Sequence, residues 1–403
     1  MNQQKIKEAA DRFGTPLYLF DLDTIRDRVQ RFREAFRDEI ELTYSMKTNP
    51  FLTLEMSRQV ERIEVCSMGE FRICRDLEIP AEKLYISGVL KIREDLMEIL
   101  EYGQDAARYT AESPLQLQML SDWADAHGRT LRVYPRLTNG SQFGMDEDTI
   151  TALIKDRAAR FPHIEFAGIH FFSGTQKKKL KKHEKELQML DAFFARLEKE
   201  AGFKVPELEY GTGFAVSYFT DQKAEEDLRE PGPLAQFTQM VRDMQWKGIV
   251  TVEMGRAYAA ECGMYVTTAL DLKENDGKAV CLVDGGIHQI NYDGQIKGMY
   301  KPEMSVIPAD SSAAREQKEW TVYGSLCTMN DVLCRGFDET VGLGDRIVFH
   351  RTGAYSLYEG FSLFLSRDLP SIYILDKTGA LHLMRSRIET AKFNQPEDLT
   401  AWL

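Results

Sequence analysis

Tyr44-Ser45-Met46-Lys47-Thr48-Asn49-Pro50 closes a short apolar-edged run, Leu42 to Met46, and sets a single lysine against a Thr-Asn-Pro turn. The run has the length and residue types of a buried strand, and the turn cannot continue it. A lysine at a strand end has two readings. The simpler is a surface side chain that snorkels to water. The other applies if the strand belongs to a parallel barrel, where active sites are built at the C-terminal strand ends and a desolvated lysine is suited to Schiff-base chemistry. Whether the strand repeats decides between them.

It does repeat. Strand-like runs lie at Leu42–Met46, Arg62–Cys66, Leu84–Ser87, Ala107–Ala111, Leu131–Leu137, Phe166–Phe172, Glu207–Tyr210 and Ile249–Glu253. Helical windows separate them at Met68–Leu77, Arg93–Glu101, Pro114–His127, Asp146–Arg160, Glu184–Glu200 and Pro233–Gln245. Alternation of this kind over about 220 residues predicts parallel strands and a (β/α)8 TIM barrel. A doubly wound open sheet competes, but its GxGxxG opening is missing. Before the barrel, Leu17–Phe20 reads as a strand after a Gly-Thr-Pro turn, and Asp23–Phe36 as an amphipathic helix. After Gly255 the texture changes to β-like runs with Gly, Asp and Asn turns: Met264–Leu272, Ala279–Val283, Trp320–Tyr323, Arg346–His350, Ser371–Leu375 and Leu381–Met384. The expected organisation is therefore an N-terminal segment 1–30 joining a C-terminal antiparallel β domain 257–403, with the barrel at 31–256.

Composition narrows the function classes. The chain has 403 residues and a formal net charge of −12, which disfavours nonspecific nucleic-acid binding. No apolar run of about 18 residues is present, so no membrane span is expected. The first residues also lack the apolar core of a signal peptide, and a cytoplasmic location is the default. The six cysteines show no CxxC pair and no metal-ligand spacing, so they read as free thiols, most of them core filler. One run, Lys177-Lys178-Lys179-Leu180-Lys181-Lys182, opposes the acidic balance and reads most simply as a solvated loop and helix start; a dock for an acidic partner is the alternative.

The barrel reading brings Lys47, Ser67, Gly88, Glu112, Arg136, His170, Gly211 and Glu253 to the C-terminal strand ends. His170 leaves an apolar strand just before Ser173-Gly174-Thr175, where it could stack on a planar ligand, although a lone histidine is more often a core residue. Gly211-Thr212-Gly213 follows the seventh strand, where barrels place phosphate sites; alone it is only a turn. Glu253 is delivered to the mouth by Ile249-Val250-Thr251-Val252 and needs a partner, which Arg256 or a protonated ring nitrogen would supply. Lysine, histidine, glycine loop and carboxylate together suit pyridoxal 5′-phosphate.

These motifs, with Gly14-Thr15-Pro16, Phe143-Gly144, Asp284-Gly285-Gly286, Gly324-Ser325-Leu326-Cys327 and Gly353-Ala354-Tyr355, resemble in order and spacing the fold-type III pyridoxal-phosphate decarboxylases, the group of diaminopimelate, ornithine and arginine decarboxylases. The resemblance implies an alanine racemase-like fold. It also implies decarboxylation of an α-amino acid through an external aldimine and a quinonoid. Lys47 would carry the cofactor and His170 would stack on it. Ser173, Gly213, Arg256 and Tyr355 would hold the phosphate, Gly211 and Gly255 would line the cofactor, and Glu253 would meet the ring nitrogen. A racemase would more naturally use arginine at that nitrogen. Cys327 would act from the second subunit of a homodimer, and Arg136, Thr328 and Asp331 are the expected substrate contacts.

Departures from the pattern bear on the substrate. Diamine-forming members place Asp or Glu directly after the cysteine to hold a distal amine, whereas this chain has Thr328. Glu64 stands for the usual Asp, and Thr138-Asn139-Gly140-Ser141 is a shortened loop. These features resemble the subgroup acting on modified or carrier-linked amino acids in siderophore or antibiotic pathways. An ordinary diaminopimelate decarboxylase is the alternative, and a noncatalytic regulatory homologue is a further one of another class.

Overall fold

Eight short strands pair parallel and close on themselves: Ile40–Ser45, Arg62–Val65, Leu84–Ile86, Arg108–Ala111, Leu131–Leu137, Ile169–Phe172, Glu207–Gly211 and Ile249–Met254. The last pairs with the first, Val252 opposite Leu42 and Glu253 opposite Thr43, which closes the barrel. This is a computed structural model, and it describes residues 2–37, 39–221, 227–309, 314–360 and 362–395. The chain forms two units: one of Arg28–Val216 and Glu225–Tyr258, the other of Met1–Asp27, Ser217–Ala224 and Ala259–Leu403.

The barrel strands are short and almost wholly buried, as helices outside and the side chains of facing strands inside require. Several helix starts carry a local signal. Ser67 caps Met68–Asp76 by accepting from the Glu70 amide at 3.2 Å, Ser113 caps Pro114–His127 with proline inside the first turn, and Asp146 caps Glu147–Lys155. Two predicted elements divide. The run Phe166–Phe172 is two strands, Ile164–Phe166 and Ile169–Phe172, which pair with the start and end of Leu131–Leu137. The step falls at Gly168, where a Cβ would lie 2.4 Å from the Glu207 carbonyl oxygen. The helix expected over Asp146–Arg160 is broken at Asp156.

The N-terminal end of the barrel interior is polar. Arg62, 3 % exposed, donates to Glu209 Oε2 at 2.8 Å, to Glu207 and to Glu41 at 3.1 Å. Tyr134 and Thr251 hydroxyls each donate to Glu207 at 2.8 Å. Burial pushes the Glu209 carboxyl up to about 8 despite Arg62.

The second unit is a mixed sheet rather than a purely antiparallel one. Leu17–Asp21 lies antiparallel to Gly263–Asn275 and parallel to Ser371–Leu375. Lys278–Val283 pairs parallel with Arg315–Tyr323. A helix the sequence reading did not include, Gln3–Phe13, is capped by Asn2 and puts Ile6, Ala9 and Ala10 on the sheet core beside Leu17, Leu19, Val266 and Val348. Met304–Ile307 and Val332–Gly342 are further strands.

Candidate active site

The first barrel strand ends at Ser45, and Met46–Thr48 form one tight turn before Asn49 caps the next. Met46 and Thr48 are buried, and the Tyr44 hydroxyl donates to the Asn49 carbonyl at 2.9 Å, so the turn is fixed from below. Lys47 points the other way. Its ammonium donates to Glu64 and lies 3.5 Å from Cys66 Sγ and 3.8 Å from Glu253 Oε1. Both carboxylates are buried, so the lysine head lies against two anions. The Cys66 thiol donates to Glu64 Oε1 at 3.1 Å, and burial, reinforced by Glu64, pushes its pKa up.

Glu253 is oriented from two sides. Ser45 Oγ donates to Oε1 at 3.1 Å, while Oε2 lies 3.2 Å from His170 Nε2. That approach is too poorly aligned for a hydrogen bond, and among the described residues Glu253 Oε2 and both His170 nitrogens have no hydrogen-bond partner. Burial, with the Arg136 charge adding to it, pushes His170 down to about 3, so the ring is neutral at ordinary pH. Tyr85 meets it edge-on at 5.8 Å. Arg136 is paired with Glu112 at 2.9 Å and lies 4.4 Å from the Phe143 ring centre.

Two loops lie side by side next to this cluster. Lys177 N donates to Gly213 O at 2.8 Å, and Ala215 N donates to Lys177 O at 3.2 Å. Gly213 has φ +59, and a Cβ there would fall 2.1 Å from the Gly174 carbonyl oxygen, so only glycine lets the loops approach this closely. Ser173 donates to Glu186, which also accepts from Tyr210 and from Lys177 Nζ at 2.7 Å. Arg256 Nε donates to Thr175 Oγ1 at 3.2 Å, and Thr212 N to the Glu253 carbonyl at 3.3 Å. Lys177 corrects the solvated reading of the basic run: its side chain is 0 % exposed, whereas Lys178, Lys179, Lys181 and Lys182 face water.

In the second unit, Cys327 is exposed, which removes the filler reading for this thiol, while Cys262, Cys281 and Cys334 are buried, as is Cys74 of the barrel unit. Thr328 Oγ1 accepts from the Asn330 amide at 3.3 Å. Asp331, expected at the substrate, is instead 1 % exposed and accepts from the backbone amides of Ile287 at 2.8 Å and Leu326 at 2.7 Å. Its carboxylate holds the turn that carries Cys327. Tyr355 is half-buried with φ 65.

The sequence reading had Lys47, His170, Ser173, Gly211, Gly213, Glu253, Gly255 and Arg256, and the structure brings them to one end of the barrel. It missed Cys66, Tyr85, Lys177 and Glu186, and used Glu64 only as a departure from a pattern. Alternation along Arg62-Ile63-Glu64 was an available signal, since it sends Glu64 inward with Arg62.

Residues 22–260, more than half of the chain, match the family model of the pyridoxal-dependent decarboxylases, pyridoxal binding domain. The chain is 29 % identical to the L-glutamyl-[BtrI acyl-carrier protein] decarboxylase of Niallia circulans, over 96 % of this chain and 94 % of that one. It is 26 % identical to the 2-[(L-alanin-3-ylcarbamoyl)methyl]-2-hydroxybutanedioate decarboxylase of Staphylococcus aureus, over 90 % and 94 % respectively. Among solved structures, diaminopimelate decarboxylase from M. jannaschii with L-lysine superposes with a TM-score of 0.82 at 22 % identity, covering 99 % of this chain and 95 % of that one. The residues present fit the cofactor: a primary amine at Lys47, an unpartnered carboxylate oxygen on Glu253, a neutral ring at His170, and a bare backbone at Gly213. With this fold, this match and this donor set, the chain belongs to the pyridoxal-dependent decarboxylases and is an amino-acid carboxy-lyase that uses pyridoxal 5′-phosphate.

Proposed function

We propose that this enzyme removes the α-carboxylate of an amino acid whose far end is acylated, carboxylated or tethered to a carrier, in siderophore- or antibiotic-type biosynthesis. One observation carries the reading. The turn from Ser325 to Asn330 presents a thiol, hydroxyls, a thioether and an amide, and its neighbouring acid, Asp331, is spent on backbone amides. No carboxylate of that turn is left to hold a distal ammonium. The two relatives support the same class, since one acts on a carrier-linked glutamyl group and the other on an alanine conjugated through its side chain.

Bound pyridoxal phosphate supplies an aldehyde for an amine and a protonated ring that withdraws electrons from the neighbouring carbon. The remaining work falls to the chain. We assign Lys47 as the anchoring amine, held between Glu64 and Glu253 until a substrate amine takes its place. Glu253, with Oε1 fixed by Ser45 and Oε2 unpartnered among the described residues, would keep a proton on the ring nitrogen. His170 covers a ring face, and because burial keeps it neutral it adds no positive charge to oppose that proton. Ser173, Gly213 and Arg256 would hold the phosphate, with Gly211 and Gly255 beside it. Arg136 faces the substrate, and the partner subunit's turn brings Thr328 and Cys327 to it, Cys327 returning a proton to the carbon that has lost its carboxylate.

A carbon dioxide release panel tests the substrate class. Free lysine, ornithine and meso-diaminopimelate should show kcat/KM about a hundredfold or more below that of an end-blocked or carrier-tethered amino acid, because a turn with no carboxylate to spare leaves a distal ammonium unpaired. If meso-diaminopimelate is the best substrate by a wide margin, the reading from Thr328 is wrong.

A further inference from the structure

Lys177 and Glu186 are buried opposite charges that the decarboxylation chemistry does not use. The Lys177 ammonium is fully enclosed, donates to Glu186 Oε2 at 2.7 Å and approaches the Gly211 carbonyl at 3.4 Å. Its stem runs along the glycine loop, with Cε 3.2 Å from where a Gly213 Cβ would stand. The other Glu186 oxygen accepts from Ser173 Oγ. The pair thus touches both loops assigned to the phosphate, one through Ser173 and the other through Gly211 and Gly213. A buried carboxylate one hydrogen bond from a phosphate ligand would repel a dianion, and at this depth solvent screens it poorly. The lysine cancels that charge.

We propose that Lys177 and Glu186 form a charge-balancing pair that sets the enzyme's preference for phosphorylated over unphosphorylated pyridoxal. The proposal rests on the assignment of Ser173 and Gly213 to the phosphate. The two residues are positioning residues: they shape the potential and the loop geometry without touching the reacting carbon. Each half has an opposite effect. With Lys177 removed, Glu186 stands as an uncompensated anion beside the phosphate. With Glu186 neutralised, burial favours the neutral Lys177 amine, and a bound phosphate becomes the anion that holds it protonated, so the phosphorylated form alone gains.

The test compares the dissociation constants of pyridoxal 5′-phosphate and pyridoxal for the apoenzyme, read by absorbance or fluorescence without turnover. Free pyridoxal closes to a hemiacetal that the phosphate ester cannot form, but this cost is common to every variant, so the change in the ratio isolates the phosphate. Lys177→Met should reduce the preference for the phosphorylated form about tenfold or more, Glu186→Gln should increase it, and the double variant should return it to within a few fold of wild type. Glu186→Gln is nearly isosteric and keeps the proposal open to refutation even if Lys177→Met fails to fold. Equal shifts of both constants, or an unchanged ratio in Glu186→Gln, would overturn it. Ser173→Ala separates the two levels. If it lowers the ratio while the pair variants do not, the charge-balancing role fails and the phosphate assignment stands; if it too leaves the ratio unchanged, the assignment beneath fails.

Discussion

Replacing Asp331 probes the turn on which the Cys327 assignment depends. Its carboxylate is 1 % exposed and makes two short bonds to main-chain amides, Ile287 at 2.8 Å and Leu326 at 2.7 Å. Hydrogen bonds to a charged acceptor are worth about 1.5–3 kcal/mol each, so two contribute about 3–6 kcal/mol. Against this stands the cost of burying the carboxylate, which raises its pKa above the ordinary Asp range despite both bonds. The net expectation for Asp331→Ala is a loss of about 2–4 kcal/mol, with Asp331→Asn intermediate because one oxygen remains to accept while its NH2 group opposes the second amide. Urea unfolding gives the energy, and hydrogen exchange of peptides containing Ile287 and Leu326 locates it: both amides should lose protection in the Ala variant. A change in KM with unchanged stability and unchanged exchange would refute this account and restore Asp331 as a substrate contact.

Acid should destabilise the fold partly through His183, whose Nε2 is buried without a partner among the described residues and whose pKa burial pushes down to about 3. The unfolded chain takes up that proton near pH 6.5 and the folded chain does not, so stability is lost as pH falls below about 6.5, by up to about 1.4 kcal/mol per pH unit. His183→Phe, set among Tyr210, Phe214 and Phe237, should flatten the dependence of the urea midpoint on pH; an equally steep curve would count against it. If Cys327 acts across a two-fold interface, mixing inactive Lys47→Ala and Cys327→Ala subunits should restore about a quarter of wild-type activity through hybrid dimers with one intact site, and a fully active monomer rules the sharing out. The exposed Lys178, Lys179, Lys181 and Lys182 follow directly on the Ser173 loop. Changing three of them to Glu should raise KM for a carrier-tethered substrate at low salt and have no effect at high salt, while a salt-independent change would argue for local misfolding instead.

Strand positions in the barrel were legible because each is a short apolar or aromatic run bounded by a turn or capped helix, and burial on both faces leaves such runs nowhere else to go. The strand Val332–Gly342 was not legible. It carries Arg335, Gly336, Asp338, Glu339 and Thr340, and half of it faces water, so its order comes from pairing with Arg315–Tyr323 rather than from its own composition. The helix Gln3–Phe13 shows a different limit. Its cap and its Ile6, Ala9, Ala10 stripe were present in the sequence, but a stripe this thin becomes informative only with the sheet it covers.

The two lysines of the site show where sequence reading stops. Lys47 stood out because a strand delivered it alone to a turn, and spacing to His170 and Glu253 gave it a context. Lys177 sits in a run of lysines that any charge argument assigns to solvent. Its burial is decided by backbone contacts to a loop thirty-six positions on, where Gly213 lets the chains approach, and by a carboxylate nine positions on at Glu186, in the helix Leu180–Ala201. Once Lys177 N is bonded to Gly213 O, its side chain must enter the space beneath the loop, and a buried ammonium requires an anion there. Charge in a sequence is thus a poor guide to charge at a surface where a loop pairing fixes the backbone first. The same logic makes Glu186 rather than Lys177 the more telling residue to change, because neutralising the acid leaves the loop pairing intact and makes the phosphate the anion on which the Lys177 charge depends.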